Sequence, residues 1–433
     1  MPDRLPTPSA RRTRLVWPAL TALLSCIAPP SCAIAQAAPI TLQQAETRLL
    51  QGNPSVIAAR RALEGATADI TIAGQASNPV VTYSNQHYSK QEGLGPGRWA
   101  DKRLDQIVLI QQPIERGNRR ELRRGGAEAL ENAARADYAD TRRQQRLALH
   151  QAWYDWLAAT EKDRLLNETA DLYKRGMVAT NLRLKVGDIA RVEASRLHIE
   201  ALRAENEARR ADAEREKTRA DVAVLLGEPD AKTLQAVIAW PPLAAPKNHD
   251  GADLDARPDM RAATARIEAG EKKRDIARSL TTRDIVVGAQ VERDPATIPG
   301  VTYGVQVSFP LFVRYGYEGE RARAEADYGL ALDDRERVRQ SASAEIVRAR
   351  AEVDAAIERR RRIEEETLPQ AREVSAASEF AWKKGALNLT DLLDARRTLR
   401  AVEMDAVDAR ADHAKALAAW LAATRWEQEG EEQ

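Results

Sequence analysis

The sequence predicts a mainly α-helical protein with a small transmembrane β component, arranged as two tandem repeats, each a β-hairpin plus a long helical hairpin. Three observations predict it. Landmarks recur in order: Asn53-Pro54-Ser55-Val56 opens a helical run that leads into Val80-Val81-Thr82-Tyr83, and Arg257-Pro258-Asp259-Met260 opens another that leads into Ile285-Val286-Val287. Gln112-Pro113-Ile114 followed by Ala127-Glu128-Ala129 returns as Phe309-Pro310-Leu311 followed by Ala324-Glu325-Ala326, and Lys185-Val186-Gly187 with Glu193 returns as Lys383-Lys384-Gly385 with Asp391. After each strand pair the apolar period switches from two to helical. Composition is the third observation: 3 Phe in 433 residues cannot fill several compact cores, whereas 30% charged residues at a net charge of +1 suit long amphipathic helices packed on one another. The same charge balance, with no basic patch, argues against nucleic acid as a partner.

Residues 1–35 read as a secretory signal peptide. Arg4, Arg11, Arg12 and Arg14 precede an apolar stretch from Leu15 to Ala28, and Ala33-Ile34-Ala35 offers a small-x-small cleavage site. The stretch, about 14 residues, is short for a membrane span. Leu23-Leu24-Ser25-Cys26 offers a lipoprotein box as the competing reading; cleavage after Ala35 instead removes both Cys26 and Cys32, leaving no thiol for disulfides, metal or nucleophilic chemistry. The repeats then occupy residues 36–245 and 246–433, the latter with a polar C-terminal tail.

Thr41 and Gln44 have capping-box spacing, so a helix starts there, breaks at Gly52-Asn53-Pro54, restarts and runs to about Gly74. Strands follow from Val80 to Tyr88 and from Asp105 to Gln112 across a glycine-rich loop. The continuous run Ile107-Val108-Leu109-Ile110 leaves the faces of the second unassigned. The counterparts are cleaner. Val301, Tyr303, Val305, Val307 and Phe309 alternate with Thr302, Gly304, Gln306 and Ser308, and Ile285, Val287, Ala289 and Val291 alternate with Val286, Gly288, Gln290 and Glu292. One face is apolar and the other small or polar, the pattern of strands that meet lipid.

Proline-free helices run from about Glu115 to Leu184, on the order of 100 Å, and back from Ile189 to Leu226. The second pair spans Gly319 to Lys384 and Leu387 to Trp426, with Pro369 expected to kink or break it. Between the units, Gly227 to Asn248 reads as a Pro/Ala-rich connector containing Trp240-Pro241-Pro242. Four strands cannot close a membrane barrel, which needs about eight, so the chain must oligomerise. Three copies give about twelve strands and a cylinder of helices, a conduit with its polar faces inward.

These residues resemble the TolC family of outer-membrane efflux ducts, from about Thr41 to Trp426: the two-fold repeat, the Asn-Pro start, the strand-to-Pro transitions and the Gly-to-acid turns all have counterparts there. Lys185 through Leu197 is most similar to the outer-membrane components of heavy-metal (cobalt, zinc, cadmium) efflux systems. The resemblance implies a homotrimer in the cell outer membrane whose 12-strand barrel continues as a periplasmic α-helical barrel. It implies a passive exit duct docked on a periplasmic adaptor (membrane fusion) protein and an inner-membrane pump, of resistance-nodulation-division type. Drug or small-molecule efflux and type I secretion remain alternatives within the family, and a periplasmic coiled-coil adaptor is the alternative outside it.

By the same resemblance, Gly187 and Gly385 form the periplasmic tip turns that meet the adaptor, and Asp391 and Asp394, with Glu193, form an acidic pore constriction. Asp391 and Asp394 lie three apart on one helical face. Where some members close the tip with a Tyr and an Arg, this chain has Trp382 and Leu387, so any gate uses other contacts, with Lys383, Lys384 and Arg191 open as choices. Among His87, His150, His198, His249 and His413 no two show metal-ligand spacing. Trp153, Tyr154 and Trp156 read as packing between rods, and Arg359 to Arg362 as partners of Glu364 to Glu366 one helical turn on. No nucleotide loop or nucleophile–base pair is present, so no cofactor and no enzymatic activity are expected.

Overall fold

A computed structural model describes residues 39–86, 90–91, 93–98, 102–187, 189–243, 253–294 and 300–425. The signal peptide, both cysteines, His87, His249, Asp188 and Trp426 lie outside them, as does the strand extension to Tyr88. Helices α1 (Leu42–Gly52) and α2 (Pro54–Gly74) precede strands β1 (Val80–Gln86) and β2 (Asp105–Ile114), then rods α3 (Arg119–Lys185) and α4 (Arg191–Leu226). The second half runs α5 (Pro258–Ser279), β3 (Ile285–Arg293), β4 (Thr302–Ser308), α6 (Glu318–Arg362), a π-helical turn (Ile363–Thr367), α7 (Leu368–Lys383) and α8 (Leu389–Thr424). The order helix, strand, strand, rod, returning rod therefore occurs in each half, with α1 extra in the first.

The start signals work as the sequence predicts. Thr41 and Gln44 exchange both capping-box bonds at α1. Asn53 caps α2 through the Ser55 and Val56 amides, and its side-chain nitrogen donates to the Leu225 carbonyl at 2.9 Å and to Gln145 at 3.2 Å. At the matching place Arg257, only 2% exposed, donates to Asp259 at 2.9 Å and to Glu345 of α6. Both residues clamp a proline-started helix to the long rod beside it. Gly52 and Gly227 are forced by close approach: a Cβ on either would come within 2.3 Å of a backbone carbonyl oxygen at the other terminus.

The rods pack side by side. α3 lies between α4 and α8 below and against α2 and α5 above, while α6 packs on α5 and α8 and α7 packs on α8. Much of the buried surface is alanine, including Ala127, Ala133, Ala136, Ala204, Ala208, Ala342, Ala349, Ala411 and Ala414, which lets backbones approach closely. Large side chains concentrate midway along α3. Trp153 and Trp156 meet edge to face at 5.4 Å, and Trp240 of the connector stacks on Tyr154 at 6.0 Å, with Leu149, Leu157, Val222 and Leu226 around them. These aromatics are core between rods, as read from their spacing.

At Pro369, where a kink or a short break is expected, there is no break: helical hydrogen bonding continues through the π turn. The π turn widens the hydrogen-bonding ring, with the Leu368 amide bonded to the Ile363 carbonyl five residues back, so Pro369 enters at the start of α7 without a clash. The arginine run before it is only partly satisfied along its own helix. Arg360 does reach Glu364 (3.2 Å), but Arg359 crosses to Asp412 on α8 (2.6 Å) and Arg361 turns back to Glu358 (2.6 Å).

Candidate functional site

The four strands form one antiparallel sheet in the order β1-β2-β3-β4. Its register assigns the faces that the Ile107–Ile110 run left open. Paired residues share a face, so Val81, Ile110, Ala289 and Val305 lie in one row, and Tyr83, Val108, Val291 and Tyr303 in the next. Val108 and Ile110 thus join the apolar face, and Ile107 and Leu109 the other.

On that other face, Thr82, Gln290 and Gly304 follow Leu109, and Gln111, Gly288 and Gln306 form a row. The glycines admit the glutamines: the Gln306 stem would come within 2.9 Å of a Cβ on Gly288, and that of Gln290 within 2.9 Å of one on Gly304. The apolar face is uncovered, with Tyr303 81% and Val305 88% exposed and Val301, Val307 and Phe309 also exposed. The outer edges of β1 and β4 carry no strand partner among the described residues. Among those residues, no helix is long and apolar enough to cross a membrane.

At the opposite end, α3 turns into α4 at Gly187 (φ 78°) and α7 into α8 at Gly385 (φ 75°). A Cβ on either glycine would meet nothing within 4 Å, so the left-handed backbone rather than lack of space selects glycine. Gly385 closes a Schellman motif, its amide bonded to the Trp382 carbonyl and that of Ala386 to the Ala381 carbonyl, both at 2.9 Å. Asn388 then caps α8 through the Asp391 amide at 2.9 Å.

The predicted acids fare differently. Asp391 is exposed and its carboxylate has no partner among the described residues, and Glu193 is half-buried in the first turn of α4, also unpaired. Asp394 is held by Arg397 at 2.9 Å, and Arg397 is shared with buried Glu200 of α4 at 2.6 Å.

The tip is tied by arginines the sequence reading did not single out. Besides Arg397–Glu200, Arg400 reaches Glu207 of α4 at 2.7 Å, Arg396 reaches Glu379 of α7 at 3.4 Å, and Arg196 of α4 donates to the Thr390 hydroxyl at 3.1 Å. Beneath these bonds Tyr173, Leu197, Ala204 and Leu393 join α3, α4 and α8. Burial raises the Tyr173 phenol's pKa, with a further push from Glu200. Lys383 bonds Glu379 within α7 at 2.8 Å, holding that carboxyl below its ordinary range, and Lys384 lies over the Phe380 ring. Neither lysine bridges helices. The visible signal was the run of arginines at 396, 397 and 400 directly after the two acids.

Midway between the ends lies a third polar cluster. Trp240 donates to Glu161 (3.0 Å), Arg410 bridges Glu161 and Glu364, and Arg360 links Glu364 to the Pro241 carbonyl (2.8 Å) and to Nδ1 of His413 (3.0 Å). A guanidinium only donates, so Nδ1 of His413 accepts and the ring is neutral with its hydrogen on Nε2. That Nε2 is buried without a partner among the described residues. Burial first, and the Arg360 charge second, lower the His413 pKa, against an opposing push from Glu364. Among the described residues no group of three or more His, Cys, Asp or Glu is arranged to hold a metal.

The family model described as outer membrane efflux protein matches residues 47–228 and 252–424, and the chain belongs to that family. It is accordingly an outer-membrane efflux channel and not an enzyme. It is similar to the cobalt-zinc-cadmium resistance protein CzcC of Cupriavidus metallidurans, 25% identical over 367 residues that cover 84% of each chain. The outer-membrane channel OprN shares the fold at a TM-score of 0.73 and 21% identity, over 88% of this chain and 89% of that one. The CmeC outer membrane channel of Campylobacter jejuni does so at 0.76 and 14%, over 90% and 87%.

Proposed function

We propose that the chain, built of two tandem repeats, is one of three identical protomers that form the wall of an exit duct: three sheets close a 12-strand barrel in the outer membrane, and the rods continue it as a periplasmic cylinder. The observation that carries this reading is the open four-stranded sheet, apolar and uncovered on one face and unpaired at both edges. In lipid each unsatisfied edge group costs several kcal/mol, which closure with two further copies removes. The two separate family matches and the like order of elements in the halves support the tandem repeat. Val301, Tyr303, Val305, Val307 and Phe309 face lipid in this assembly, and the glutamine face lines the lumen.

The cargo is heavy-metal cations, a reading supported by the likeness to CzcC. They are delivered by a periplasmic adaptor that meets the Gly187 and Gly385 turns and by an inner-membrane pump of resistance-nodulation-division type. Asp391 is the stronger member of the acidic constriction, because its charge is not already neutralised as that of Asp394 is; Glu193 adds to it.

The expected mass of the detergent-solubilised protein is that of three chains, and in planar bilayers it conducts with a preference for cations. Replacing Asp391→Ala reduces that preference more than Asp394→Ala. A monomeric mass overturns the assembly, and unchanged selectivity in both variants overturns the acidic ring.

A further inference from the structure

We propose that Met177 and His198 form a binding site for a soft, closed-shell monovalent cation of the Cu(I) or Ag(I) type on the α3–α4 hairpin. Nδ1 of His198 lies 3.1 Å from the thioether sulfur of Met177, across two helices and 21 positions of sequence. A low-coordinate ion holds two ligands nearly in line, so for metal–nitrogen and metal–sulfur bonds of usual length the two atoms stand about 4.3 Å apart, and the side chains admit a metal by rotating apart by about 1 Å. Thioether sulfur selects soft ions such as Cu(I), and imidazole completes a pair that low-coordinate ions accept; harder divalent ions gain nothing from the sulfur.

The surroundings favour a ligand over a packing role. Helix packing at this level is carried by Tyr173, Leu197 and Ala204, a cluster that includes neither Met177 nor His198. His198 is exposed and Met177 half-buried, so an ion has access from solvent, and the contact with sulfur is the one bond His198 makes among the described residues. Met260, by contrast, is fully buried, and among the described residues no other methionine sulfur meets a histidine. Met177 sits ten residues before Gly187, about 15 Å along α3 from the tip turn. The site is open and, among the described residues, offers two protein ligands, so it suits reversible binding rather than a resident ion.

The test is calorimetric titration of the full chain in detergent with silver nitrate in chloride-free buffer, alongside zinc sulfate. The expected result is one silver site per chain, weakened by about tenfold or more in both Met177→Leu and His198→Ala, with zinc unable to displace silver. Silver affinity unchanged in either variant, or displacement by equimolar zinc, overturns the site. His198 is on the surface and Met177→Leu nearly conserves volume, and an unchanged circular dichroism spectrum verifies that each variant is folded. Because the readout is binding by the isolated protein, its failure is distinct from failure of the metal-export reading.

Discussion

Single residues at helix starts do more here than end a spiral. Asn53 caps α2 and also satisfies the Leu225 carbonyl at the end of α4, so Asn53→Ala removes a cap and orphans a carbonyl. The expected loss is about 2 kcal/mol, read as a lower thermal midpoint by circular dichroism. The Asn-Pro and Arg-Pro landmarks were legible because a cap and a helix-starting proline act locally. What those side chains clamp was not, since Gln145 and Glu345 lie far away in sequence. His413 was legible only as a histidine without metal-ligand spacing. Its pKa is lower folded than unfolded, so below about 6.5 the unfolded chain takes up more protons, and stability falls as pH drops towards the folded value. In His413→Gln, whose amide oxygen still accepts from Arg360, thermal midpoints measured between pH 7 and 5 should decline less steeply than in the wild type; an equal slope refutes the role.

Among the elements, the strands of the second half declared their faces through strict alternation, whereas β2 did not. It is a central strand, paired on both sides, and Ile107 and Leu109 are apolar residues on the glutamine face. Only register with β3 settles such a strand. The glycines of the tip were also legible, because a left-handed turn permits little else, but the bonds between rods were not. Which arginine meets which acid depends on how each rod is rotated about its axis, and with charges at nearly a third of positions many pairings satisfy the sequence. Arg397 anchors α8 to Glu200 of α4, and a carboxylate this buried is destabilised without its partner. Arg397→Ala should therefore loosen the tip and raise single-channel conductance in planar bilayers, while Lys383→Ala, which breaks only a bond within α7, should leave it unchanged.

At the scale of the whole molecule, adjacent positions of one strand have opposite fates. Val305→Lys places a charge on the row that the proposed barrel turns to lipid and is expected to cost about 2–4 kcal/mol near the bilayer midplane, lowering the amount of folded protein recovered from outer membranes. Gln306→Lys, one residue on, lies on the face that the same proposal turns to the lumen and should insert normally while reducing cation conductance. Equal recovery of both variants would contradict the assignment of faces. The π turn at Ile363–Thr367 has a consequence of its own. It holds one residue more than an ordinary helical turn, and each residue advances a helix by about 100°. The wall above it is aimed at α5 and α8 and the wall below at α8, so this surplus residue works like an indexing notch. Deleting Glu365 would swing all of α7, and with it the Gly385 turn, by more than a quarter of a revolution.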